Sequence, residues 1–110
     1  MIGVRMLKLA TPNGDKDVPI SIEAPSGSGR DWHCSYEIGW PSGAHRKQAG
    51  GVDAVQAVCL ALQRIGTDLY TSNEHLEGRL RWEKAGDGYG FPVPKNLRGV
   101  LVGLDKEFDG

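Results

Sequence analysis

From Trp32 to Trp40 the sequence alternates without a break: Trp32, Cys34, Tyr36, Ile38 and Trp40 share one side, and His33, Ser35, Glu37 and Gly39 the other. Successive side chains of a strand point to opposite faces, so this stretch predicts a strand with one face covered and the other wet. The cover is written further along. Asp53 followed by Gln56 has the spacing of a helix capping box, and Val52 and Ala57 stand where a hydrophobic staple would close. Val55, Val58, Cys59, Leu62, Ile65, Gly66 and Leu69 then recur at helical spacing as one apolar stripe, with Leu60 off it. Gly66 on that stripe implies a close approach to the sheet or an early helix end. A one-sided strand and a one-sided helix each need the other. Trp32, Tyr36, Ile38 and Trp40 are therefore expected to meet Val55, Leu62 and Leu69 in a single core.

The remaining chain supplies more sheet. Residues 2–10 are rich in Val, Met and Leu and run into Thr11-Pro12-Asn13-Gly14-Asp15. Asn13-Gly14 between two apolar runs is a hairpin signal, because both residues tolerate positive φ. Beyond it Val18, Ile20, Ile22 and Ala24 alternate with Pro19, Ser21 and Glu23. Pro19 cannot donate to a ladder, which places this strand at an edge or turns that side to solvent. Residues 25–29 read as loop, Pro41-Ser42-Gly43 as a turn, and His45 to Gly50 as a weaker fourth strand. After Thr71-Ser72-Asn73 the chain reads as loop again, with a short strand over residues 79–84. Asn96 caps a last short helix carrying Leu97, Val100, Leu101 and Leu104. The expected fold is α+β, one domain over residues 1–110. It comprises an antiparallel meander of four to five strands, one amphipathic helix packed across it and a short C-terminal helix.

Composition narrows the function. A formal charge of −1 over 110 residues lacks the surplus of Lys and Arg that phosphate binding needs, and His45-Arg46-Lys47 is the one compact basic cluster. No nucleic-acid partner is expected. No apolar run reaches signal-peptide or membrane-span length, so no membrane is expected either. Two cysteines are too few for a secreted disulfide framework, which makes the cytoplasm, with both thiols reduced, the expected location.

Each group that could carry chemistry has a plainer structural reading. Cys34 and Cys59 both fall on apolar faces and are expected in the core, where thiols are inert. His33, Ser35 and Glu37 share a strand face, but alternate residues stand about 7 Å apart with parallel side chains, too far for a nucleophile and its base. His33, His45 and His75 lie on separate segments without metal-ligand spacing, and no metal is expected. Gly86, Gly88 and Gly90 resemble a nucleotide loop only until Phe91, which stands where a third glycine belongs, and no cofactor is expected. The same loop carries Asp87, Tyr89 and Phe91, and its rings have two outcomes: plugs of the core, or a tip displayed to a partner.

Trp32-His33-Cys34-Ser35-Tyr36-Glu37-Ile38-Gly39-Trp40-Pro41, Gly51-Val52-Asp53-Ala54, Tyr70-Thr71-Ser72 and Gly86-Asp87-Gly88-Tyr89-Gly90-Phe91-Pro92-Val93-Pro94 together resemble a family of small bacterial proteins of roughly one hundred residues, catalogued as a domain of unknown function. The resemblance spans residues 3–104 and implies a compact bacterial domain, with no activity, cofactor or catalytic residue. The reading preferred on these grounds is a non-catalytic interaction module that binds another protein or a copy of itself, an inhibitor-type protein being one form of it. Asp87, Tyr89 and Phe91 are its contact candidates. The alternative is a small enzyme or ligand-binding domain with a site near residues 86–94, for which His33 and Glu37 are further candidates.

Overall fold

The computed structural model describes residues 1–83 and 88–92. Its elements run β1 (Gly3–Thr11), β2 (Gly14–Ile22), β3 (Ser26–Ser28), β4 (Asp31–Ile38), β5 (His45–Gly51), α1 (Ala54–Tyr70), α2 (Asn73–Leu76) and β6 (Leu80–Arg81). The fold is α+β: one antiparallel sheet of six strands, with α1 packed on one face. β4 is central, paired with β5 on one side and with β2 and the short β3 on the other, and β1 continues from β2 to β6.

The register places each row of the sheet on one face. Arg5, Ile20, Ile38 and His45 form a row under the helix, and Gly3, Ile22, Tyr36 and Lys47 form the next. Leu7, Leu9, Val18, Ile20, Cys34, Tyr36, Ile38 and Ala49 bury that face against Ala57, Ala61, Ile65 and Leu69. The opposite face presents Val4, Ser21, Glu37 and Arg46 as one row and Met6 beside Pro19 as another. The alternation of 32–40 therefore does its expected work, with Trp32 half-buried at the end of the row.

The helix begins as its sequence requires. The Asp53 carboxylate accepts from the Gln56 N–H at 2.7 Å, and the Gln56 side chain accepts from the Val52 N–H at 2.7 Å. Its rotation differs from expectation. Val55 is 72% exposed and Cys59 is exposed, while Ala57, Ala61, Ile65 and Leu69 form the buried row. Val58, Leu60 and Leu62 are half-buried along its flanks. The cause lies in the small residues. A Cβ on Gly51 would come within 2.6 Å of the Ala57 nitrogen, so the first turns of the helix lie almost on the end of β5. Only alanine fits at that separation, and the larger Val55 and Cys59 turn outward. Gly66 is buried and the helix runs past it to Tyr70.

Further differences from expectation are local. In the first hairpin Thr11 pairs with Gly14, so the turn is Pro12-Asn13; Gly14 alone has positive φ, at 103°. β2 is interior rather than an edge, and Pro19 is tolerated because the β4 ladder stops at Ile20, with the Pro19 carbonyl accepting from the Gly39 N–H. Residues 26–28 are strand rather than loop, since the 31–33 end of β4 extends past β2 and needs partners. Ser72 accepts from the His75 N–H and starts α2 where loop was expected. The strand expected over 79–84 contracts to Leu80–Arg81, and the C-terminal helix expected from Asn96 lies outside the described residues.

Candidate functional site

The residues singled out in the sequence do not converge. His33 and Glu37 stand on the wet face of β4, His33 opposite Gly50 with Asp31 at 3.7 Å, Glu37 opposite Arg46. Asp87 lies outside the described residues. Tyr89 is 4% exposed and Phe91 7%, so of the two outcomes for these rings the structure takes the plug.

The plug is built around two cross-chain ties. The Arg5 guanidinium donates to the Tyr89 and Gly90 carbonyls at 3.1 and 3.0 Å and stacks 3.9 Å over the Trp82 ring. Gly90 has φ 78°, and a Cβ there would meet Arg5 and Trp82 within 2.6 Å, so glycine is required twice over. On the other side His75 Nδ1 lies 2.5 Å from the Tyr89 hydroxyl, with Tyr70 edge-on to His75 at 4.7 Å between ring centroids. Burial pushes the His75 imidazole below its usual range and so favours a neutral ring beside the Tyr89 hydroxyl. These contacts tie the 89–90 segment to β1 on one side and to α2 on the other.

Cys34 is fully buried, and burial raises its thiol. Cys59 departs from expectation: it is an exposed thiol on α1. Together with Pro25, Ala54, Val55 and Val58 it lines a shallow apolar hollow where the helix passes the β2–β3 connection. Val52, 42% exposed, stands just before the helix.

A second concavity, about 370 Å³, opens between the β4–β5 turn and the C-terminal end of α1. Trp40, His45 and Lys47 come from the sheet side, and Asp68, Asn73 and Glu74 from the helical side. At its base the Tyr36 hydroxyl donates to the Asp68 carboxylate at 2.7 Å, and the Lys47 ammonium stands 3.5 Å from both oxygens. Burial first, then the Asp68 hydrogen bond, raises the Tyr36 phenol and keeps it a donor. Sequence reasoning missed this cleft, because Lys47 and Asp68 lie 21 positions apart in the chain. The available signal was the register: Lys47 sits opposite Tyr36 and so points to the helix face.

Among the described residues no group of three or more His, Cys, Asp or Glu side chains gathers as a metal set, and no helix is long and apolar enough to cross a membrane. No match to a curated protein or to a solved structure was found. Residues 3–93 match the domain of unknown function DUF6968, which takes in β4, the capped helix and the Arg5–Tyr89 tie, and the chain belongs to that family.

Proposed function

We propose that this chain is a non-catalytic interaction module that docks on another protein through the shoulder of α1. The observation that carries the reading is the outward turn of Val55 and Cys59. Two exposed apolar side chains stand beside Pro25, on the half of the helix whose buried residues are Ala57 and Ala61. Contiguous exposed apolar surface on a soluble domain marks interaction sites more often than chance placement does. Helix anchors at i and i+4 suit a partner groove or a flat helix face. Tyr89 and Phe91 enter this reading as supports, with Asp87 as the one contact candidate kept from their loop.

The test compares the wild-type protein with Val55→Glu and with Glu37→Gln on the far face of the sheet. Specific partners are captured from an extract of the native host, with free wild-type protein as competitor, and self-association is followed by sedimentation. Val55→Glu is expected to lose the competed partner while melting as the wild type does, and Glu37→Gln to keep it. Full capture by Val55→Glu would overturn the reading. A concentration-dependent wild-type dimer lost in Val55→Glu would identify the partner as a second copy.

A further inference from the structure

The cleft beside Trp40 has a division of charge that the docking reading does not use. Its sheet wall is lined by three residues that carry donors, Lys47, His45 and Trp40. Its helical wall carries the carboxylates of Asp68 and Glu74 and the amide of Asn73. We propose that this cleft binds a small zwitterion of the amino-acid class, its carboxylate on the Lys47 and Trp40 donors and its ammonium against Glu74 and Asp68.

Two observations point to a ligand. Trp40 is only 8% exposed, yet its indole N–H takes no acceptor among the described residues. No fully buried polar side-chain atom among those residues lacks a partner, so that nitrogen keeps some contact with solvent, and Trp40 is one of the residues that line the cleft. A donor held in place by a buried ring is preorganised for an acceptor that arrives from outside. The second observation is the spacing of Lys47 and Asp68. At 3.5 Å to both oxygens the ammonium is beyond the 2.7–2.9 Å of a committed charge-assisted bond, while Asp68 is pinned from behind by Tyr36. Lys47 is half exposed, with a flexible stem. It can pivot to an incoming carboxylate without leaving Asp68 unpartnered.

The two walls also select the ligand. A simple anion gains Lys47 but faces two carboxylates, and a simple cation gains Glu74 but faces Lys47. Only a molecule carrying both signs gains on both walls. About 370 Å³ lies at the small end of ligand sites, suited to a free amino acid and too small for a nucleotide held on all sides.

The test is titration of the ¹⁵N-labelled protein with a panel of the common L-amino acids, with acetate and ethylammonium as single-charge controls. At least one amino acid is expected to move the amides of His45, Lys47, Asn73 and Glu74 saturably, with neither control doing so at equal concentration. Lys47→Met and Glu74→Gln should each weaken that binding about tenfold or more, the scale of one charge-assisted bond. Glu37→Gln should leave it unchanged. Should Lys47→Met disturb folding, Glu74→Gln alone decides, since melting curves taken alongside separate lost binding from lost structure. No saturable shift with any amino acid would overturn the proposal. So would equal binding of acetate or ethylammonium, which would reveal an adventitious ion site only.

Discussion

The two halves of α1 place their apolar side chains differently, although residues 54–61 carry seven of them and residues 62–70 only four. In the C-terminal half Ile65, Leu69 and Tyr70 go into the core beside Tyr36 and Ile38. In the N-terminal half only Ala57 and Ala61 are fully buried, Val58 and Leu60 pack against the core in part, and Val55 and Cys59 go to solvent. The difference originates in the sheet beneath. Ala49, Gly50 and Gly51 end β5 with almost no side-chain volume, so the helix start drops to near contact with the backbone. Further along, Tyr36 and Ile38 hold the helix off and leave room for larger residues. Helix orientation here is set by how closely the backbones approach as well as by where the most apolar stripe lies.

The contrast predicts opposite responses to the same kind of substitution. Ile65→Asp should abolish cooperative folding, since an unpaired buried carboxylate costs about 3–5 kcal/mol or more against a total of about 5–15. Val55→Asp should shift stability by no more than about 0.5 kcal/mol, as exposed positions usually do. Urea unfolding of the two variants checks the pair, and similar losses would erase the difference between the halves.

A smaller effect sharpens it. Ala61 is fully buried against the sheet, so Ala61→Leu should destabilise by about 1–3 kcal/mol through overpacking. The same enlargement at Cys59 should be tolerated. A stable Ala61→Leu protein would show that the helix stands further from the sheet than the Gly51–Ala57 approach implies.

Much of this was legible beforehand. The alternation of 32–40 and the Asp53–Gln56 cap are local signals whose chemistry is complete within a few residues, and both elements formed where expected. Helix rotation was not legible, because Val55, Val58 and Cys59 outscore Ala57 and Ala61 on hydrophobicity. What selected the alanines was the absence of side chains on a different strand. The cleft was hidden for a related reason, since Trp40, Lys47 and Asp68 look unremarkable until the β4–β5 register turns Lys47 toward the helix. Pro19 misled in the same way, because whether a strand is interior depends on where its neighbour's ladder stops.

The plug at the far end of the helix gives a pH test. The folded state holds His75 neutral, with a pKa below its unfolded value, so the unfolded chain binds more protons in the acid range. This contribution is present above the unfolded pKa near 6.5 and is lost as pH falls through that value toward the folded one. Melting temperature should therefore decline between about pH 7 and pH 5 more steeply in the wild type than in His75→Gln. Equal slopes would mean that the Tyr89 contact does not depend on a neutral ring.

The orientation of α1 is open to one direct measurement, because nature placed a thiol on each side of it. Native protein treated with iodoacetamide and mapped by peptide mass should be alkylated promptly at Cys59. Cys34 should stay protected until the chain opens, since its thiol is fully buried and raised by that burial. Labelling at Cys59 as fast as in the denatured protein, with Cys34 slower by orders of magnitude, is the predicted result. Equal protection of the two thiols would place Cys59 in the core and contradict the outward shoulder on which the docking proposal rests.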